Sequence, residues 1–258
     1  MVTMPKPLEF YGRRLGHDGR GLICAPLVGR STRALLAELA AILPKAPDLV
    51  EWRVDFFDAI ADQDQVLATA ARLRALAGSV PIVFTRRAVH EGGEPIPIDE
   101  GAVVDLYAAL CASGHVDFVD YELSQPEHHR RRVRAVSQAH GVALIVSHHD
   151  FSGTPRQADM LETLLRAERE HADVAKLAVM PRTPSDVLAL LEATAQASAA
   201  LRIPVVTMSM GSLGKLSRIC GWQYGSSVTF GAGERVSAPG QMPIEALRGA
   251  MAALNGGA

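Results

Sequence analysis

Cysteine is scarce in this chain. Cys24, Cys111 and Cys220 are odd in number, far apart and outside any Cys-x-x-Cys or Cys/His ligand pattern. That excludes a disulfide framework and fits reduced thiols in a cytosol. An excess of one charge sign is also missing: 26 basic residues stand against 28 acidic ones, a net charge of −2. Composition therefore makes no case for nucleic acid or an acidic membrane as partner. No apolar run is long enough to span a bilayer, and residues 1–21 hold no unbroken apolar stretch before a small-residue cleavage site. The expected location is the cytoplasm. Two nucleotide signatures are absent as well. LICAPLVGRS, around the first strand-like run, has no G-x-G-x-x-G, and GSLGKLSR at 211–218 departs from the Walker pattern because two residues separate its glycines and Leu216 follows Lys215.

What is present is apolar material: 48% of the 258 residues are hydrophobic, enough for a sizeable core and against disorder beyond the termini. Residues 1–21, polar with prolines and glycines, read as a loose or hairpin-like lead-in. A strand-then-helix beat follows and repeats. LICAPLVG (22–29) precedes a helix capped by Ser31, with Leu35, Leu36, Leu39, Ile42 and Leu43 at helical spacing. LVEWRVDFF (49–57) precedes a helix from about Asp62 to Ala77, and PIVFTRR (81–87) leads through the Gly- and Pro-rich HEGGEPIPI to a helix from Asp99 to Ser113. FVDYEL (118–123), ALIVSHHDF (143–151), DVAKLAVMP (173–181), PVVTMSM (204–210) and SVTFG (227–231) are the remaining strands. Helices are expected at 126–140, after a Thr154-Pro155 start, at 184–201, as a short turn before SVTFG, and from about Pro243 to Leu254. HHRRRVR in the first of these invites a nucleic-acid reading, but no aromatics interleave, and it reads as a solvated helix face. Eight beats at this length predict an α/β fold, a (β/α)8 TIM barrel as a single domain over 1–258, with an open doubly wound sheet as the alternative.

In such a barrel chemistry belongs at the C-terminal ends of the strands. Lys176 lies in the middle of an apolar strand, where burial disfavours its charged form and favours a nucleophilic amine. The alternative is a strand lysine whose ammonium reaches water or a carboxylate. Glu51, Arg53 and Asp55 share one face of strand two, and Thr85 and Arg87 one face of strand three. Ser147 and His149 face together on strand five, which turns His148 away. Glu51, Arg53 and Arg87 are alternatively a buried ion cluster. Charge on four strands at corresponding ends points to one pocket. A desolvated lysine beside a histidine suits imine formation on a ketone and proton transfer next to the iminium carbon. His148, His149 and Asp150 do not make a metal site, because adjacent strand residues point opposite ways. Arg218 suits a carboxylate clamp, and Ser237 and Gln241 in SAPGQ follow the eighth strand as donors.

EWRVD (51–55), FTRR with HEGGE (84–94), SHHDF (147–151), AKLAVMP (175–181), TMSMG with LSRICG (207–221) and TFGAGERVSAPGQ (229–241) resemble, in order and over nearly the whole chain, the signatures of type I 3-dehydroquinate dehydratase. The resemblance implies a barrel enzyme of the shikimate route, usually a homodimer, that converts 3-dehydroquinate to 3-dehydroshikimate without metal or organic cofactor. It implies Lys176 as the Schiff-base lysine and His149 as the general acid and base, oriented by Glu91. Glu51, Arg53 and Arg87 would bind ring hydroxyls. Arg218, Ser237 and Gln241 would hold the carboxylate side, and Met208 and Met210 would line the pocket. Pro26 stands where some members carry a substrate-contacting serine. Two other classes fit the same residues: a class I aldolase, which would call for a phosphate site after the last strands, and a binding protein that has lost the reaction.

Overall fold

Short strands with little polar content bury both faces when helices cover one side and a closed lumen the other, or when helices cover both. The structure, a computed structural model, describes residues 4–16, 19–235 and 237–255. Its main sheet has eight parallel strands: β3 (Leu22–Leu27), β4 (Leu49–Arg53), β5 (Ile82–Thr85), β6 (Phe118–Glu122), β7 (Ala143–Asp150), β8 (Val174–Val179), β9 (Val205–Ser209) and β10 (Val228–Phe230). They follow chain order from β3 to β9, with β10 beside β3. A bridge between Val205 of β9 and Ser226, just before β10, brings the last two together and nearly closes the ring. This is the (β/α)8 barrel, not an open sheet.

Among the described residues eight α-helices surround it: α1 (Thr32–Ile42), α2 (Gln63–Ala77), α3 (Glu100–Ser113), α4 (Glu127–Ala139), α5 (Gln157–Arg169), α6 (Pro184–Ala200), α7 (Lys215–Cys220) and α8 (Ile244–Leu254). Ser31, Asp62, Asp99 and Thr183 cap α1, α2, α3 and α6 by accepting from the N–H three residues on, each cap contributing about 1 kcal/mol. Two local expectations fail. The α5 helix begins at Gln157, after Thr154-Pro155, because Thr154 Oγ1 donates to Met180 O and Met180 N to Gly153 O, tying that segment to the end of β8. In α4, Arg130 is buried and paired with Glu170 rather than solvated, while Arg131 and Arg132 are exposed.

Two apolar layers result. Between sheet and helices, Trp52, Phe84, Tyr107 and Tyr121 form a chain of edge-on ring contacts with centroids 5.2–5.5 Å apart. Inside the lumen the lower level is apolar, with Cys24, Leu49, Val83, Ile145 and Val174 among its members. The lead-in is a hairpin, β1 (Leu8–Phe10) paired antiparallel with β2 (Arg13–Leu15). It buries Leu8 and Phe10, and the Phe10 ring lies 4.9 Å from that of Phe118. Leu8 borders an apolar hollow whose opposite wall is Lys176. Above that level the inward positions become charged.

Candidate active site

Strand alternation decides which side chains enter the lumen. Parallel register sets Ser147 against Lys176 and Glu122 against Ser147, so inward residues of β6, β7 and β8 stack at one height. Lys176 is 5% exposed. Its ammonium is not isolated: Nζ donates to Asp120 Oδ2 at 2.7 Å, lies 3.5 Å from Glu51 Oε1, and sits 4.5 Å above the centre of the Phe230 ring. Of the two sequence readings, the structure shows burial together with the alternative's carboxylate contacts, supplied at the same level by Asp120 of β6 and Glu51 of β4.

Asp120 was missed at the sequence level, although an aspartate between Val119 and Tyr121 in a strand core is the same signal that singled out Lys176. Its Oδ1 accepts from Arg87 Nη2 at 2.8 Å and Ser147 Oγ at 2.5 Å. Burial alone would raise its carboxyl, but the charges of Arg87 and Lys176 outweigh burial and hold it well below the usual carboxylate range. Arg87 is fully engaged, also donating to Ser147 Oγ and Glu122 Oε1.

Strand β4 ends at Arg53, earlier than the run LVEWRVDFF implies, and a 3-10 turn takes over at Val54–Phe56. The turn brings Asp55 back onto Arg53, which donates to it through Nε at 2.8 Å and Nη2 at 2.7 Å. Asp55 also accepts from the N–H groups of Arg87 and Glu94. Glu51, Arg53 and Arg87 do not pair with one another directly: Arg53 pairs with Asp55, Arg87 pairs with Asp120, and Glu51 accepts from Thr85 Oγ1 at 3.0 Å, with Lys176 linking Glu51 to Asp120.

Glu91 ends a 3-10 turn at Val89–Glu91, continued by Gly92 at φ +84°, where a Cβ would stand 2.4 Å from the Phe151 ring. Its Oε2 accepts from the backbone N–H of His149 and lies 2.9 Å from His149 Nδ1. A carboxylate only accepts, so Nδ1 carries the proton and Nε2 is left as the base. His149 is pushed down to about 3 by burial first, then by the charges of Arg87 and Lys176, against the pull of Glu91. Glu91 is held below the carboxylate range; burial opposes this, and hydrogen bonds to His148 and His149 prevail. His148 does face out of the lumen, but it is not removed from the site: its Nδ1 is 3.5 Å from Glu91 Oε1.

Across the mouth, Arg218 is 1% exposed yet has no carboxylate partner among the described residues. It donates to the carbonyls of Phe230 and Pro239, at 3.4 and 3.0 Å, and its Nε is unpaired. Burial lowers this guanidinium to about 10. The SAPGQ turn lies over it, held by Gly211 N donating to Pro239 O. Gly240, at φ +81°, lets the backbones meet; a Cβ there would stand 2.1 Å from Gly211 O. In the turn Gln241 Nε2 donates to Ser237 Oγ at 3.0 Å.

Lys176, His149 and Glu91 line one cavity with Glu51, Arg53 and Arg87. Arg218, Ser237, Gln241, Met208 and Met210 line the same cavity, whereas Asp55, Thr85 and Ser147, which strand alternation places on the same faces, do not line it. Phe230, Phe151, Gly92 and Ala178 also line it and were not anticipated, since apolar strand ends carry no distinguishing signal. Among the described residues no group of three or more His, Cys, Asp or Glu could hold a metal ion, and no helix is long and apolar enough to cross a membrane.

Residues 23–257 match the family described as type I 3-dehydroquinase. A 3-dehydroquinate dehydratase of Albidiferax ferrireducens is 48% identical over 242 residues, covering 94% of this chain and 92% of that protein. One from Geobacillus kaustophilus is 51% identical over 226 residues, 88% of each chain. The crystal structure of 3-dehydroquinate dehydratase from Geobacillus kaustophilus superposes with a TM-score of 0.95 at 47% identity, covering 99% of this chain and 98% of that one. A type I 3-dehydroquinate dehydratase of Clostridium difficile, solved with covalently modified comenic acid, gives 0.91 at 34% identity over 97% and 98% of the two chains. With the barrel, the cavity and these matches in agreement, the chain belongs to the type I 3-dehydroquinase family.

Proposed function

We propose that this protein removes water from 3-dehydroquinate to give 3-dehydroshikimate through an imine on Lys176, with His149 carrying the proton. The observation that carries the reading is a buried amine and a histidine with a free Nε2 on neighbouring strands of one cavity, opposite a buried guanidinium with no anion of its own.

The steps follow from that placement. Arg218 takes the substrate carboxylate, with Ser237 and Gln241 beside it, because two parallel donors in a dry site bind a carboxylate strongly. Glu51, Arg53 and Arg87 meet the ring hydroxyls, and Met208 and Met210 pack the apolar side. Lys176 gives a proton to His149 and attacks the ketone carbon; a second proton passes from the nitrogen to the oxygen, His149 returns the first, the oxygen leaves as water and an iminium remains. The iminium acidifies the neighbouring C–H. His149 Nε2 removes that proton, the electron pair forms an enamine, and the β-hydroxyl departs with the proton His149 gives back. Water then hydrolyses the imine and frees Lys176. Glu91 holds the ring throughout, and Asp120 returns to the ammonium at the end. Pro26, buried at the end of β3, offers no side-chain donor to the substrate.

In this reading the protein is a homodimer acting in the cytoplasm in aromatic amino acid biosynthesis. Borohydride added with 3-dehydroquinate should fix a covalent adduct on Lys176, located by peptide mass; an adduct elsewhere, or none, sinks the assignment. Absorbance of the conjugated enone product should rise without added metal and persist in EDTA. Sedimentation should give double the chain mass. The aldolase alternative has no observation in its favour, since Arg218 beneath the SAPGQ turn suits a planar carboxylate.

A further inference from the structure

Glu91 has three imidazoles around one carboxylate. His149 Nδ1 lies 2.9 Å from Oε2, while His148 Nδ1 and His90 Nε2 lie 3.5 and 4.0 Å from Oε1. Their side chains are 11%, 35% and 61% exposed, so only the outer two meet water freely. Ser124 completes the set: its Oγ donates to Oε1 at 2.5 Å and lies 3.1 Å from His90 Nε2. Consecutive residues of β7 point to opposite faces, yet Glu91, brought in by its own 3-10 turn, is within reach of both His148 and His149.

We propose that His148 is a positioning residue for the reaction: by taking up one oxygen of Glu91 it limits the negative charge that reaches His149 and keeps that ring in its neutral, proton-accepting form. The inference rests on the reading of His149 as the proton shuttle. A carboxylate divided between two rings stabilises a proton on each only in part, and the half-exposed ring, with the smaller desolvation penalty, takes the larger share. The direction of each group agrees. His148 is raised above the ordinary histidine value, through its hydrogen bond to Glu91 before any other cause, whereas burial pushes His149 down to about 3. The charges bearing on His148 come from Glu91 on the turn, Asp150 on its own strand and Arg166 on α5, two carboxylates against one guanidinium. Without His148, the whole of Glu91 would act on His149 and draw it toward the imidazolium, which cannot accept the proton from substrate.

The test is His148→Gln and His148→Phe, followed by nitrogen NMR of labelled histidine across a pH titration and by the pH profile of kcat/KM for 3-dehydroquinate. Both variants should raise the titration midpoint of His149 and move the acidic limb upward on the order of one pH unit, a loss of about tenfold at a pH on that limb. Phenylalanine keeps the ring volume. If His148 only packs, Phe restores the wild-type profile; that result, or an unmoved His149 resonance in both variants, overturns the proposal. The NMR arm needs no turnover, so a wild type that fails to dehydrate 3-dehydroquinate refutes the reaction while leaving His148 to be decided. Should a variant not fold, the wild-type spectrum decides: His148 titrating at its ordinary value, or unchanged by Glu91→Gln, also overturns it.

Discussion

Asp120 and Lys176 meet inside the lumen, Oδ2 to Nζ at 2.7 Å, from strands β6 and β8 that are separated by β7 alone. Both are almost closed to solvent, at 0% and 5%. The contact therefore ties two next-but-one strands of the barrel while placing the reacting amine.

Asp120→Asn should destabilise the fold by about 3–5 kcal/mol, because it leaves Lys176 and Arg87 buried without their shared anion. Urea unfolding measures this directly. Glu51→Gln, which weakens only the 3.5 Å contact, should cost less; equal midpoints for the two variants would contradict the ranking.

His149→Ala should still form an imine, slowly, that borohydride can trap, while steady-state dehydration falls by about 10²–10⁴. Rapid-quench mass measurements separate the two steps. Wild-type turnover in that variant would remove His149 from the mechanism.

Arg218→Met should raise KM for 3-dehydroquinate by about 10-fold or more, since a charge-assisted bidentate contact is lost. The same change removes a buried cation that has no ion-pair partner, so the melting temperature should hold or rise. A large fall in melting temperature would mean that the two carbonyl contacts of Arg218 matter more to the fold than its burial.

Stability should fall as pH drops below neutrality. His149 titrates at about 3 in the folded chain and at about 6.5 unfolded, so between those values the unfolded chain binds the extra proton and gains. His148 has the opposite sign: its raised value means a contribution fully present below about pH 6.5 and lost as pH rises through the folded value. Asp120 and Glu91, both depressed, contribute above about pH 4 and lose that contribution as pH falls toward their folded values. Urea midpoints from pH 7 to pH 4 should therefore decline, and His149→Gln should flatten the decline. An identical slope in that variant would contradict the low value for His149.

Much of this was legible in residue order. The eight beats are visible because apolar strands and striped helices have different periods, and the site residues converge because strand ends in a closed barrel share one rim. Lys176 stood out as a charge in an apolar run. Asp120 carries the same signal in FVDYEL, but Glu122 two residues on gives that strand the polar alternation of an ordinary half-exposed strand. The early end of β4 was hidden: Val54 and Phe56 suit a strand, and only the pairing of Asp55 with Arg53 and with the N–H groups of Arg87 and Glu94 requires the turn. Likewise, pointing His148 outward follows from alternation, but the reach of Glu91 depends on a loop whose path no periodicity encodes.

The hairpin at the base of the barrel bears on the chemistry from underneath. Leu8 and Lys176 wall the same apolar hollow, so the segment before the first barrel strand acts as a cork, and the dielectric felt by the amine is set partly by residues that never meet substrate. Trimming the chain to Gly21 for convenience of expression would open that floor to water and hydrate the nucleophile from behind, leaving every group around the mouth in place over a flooded well.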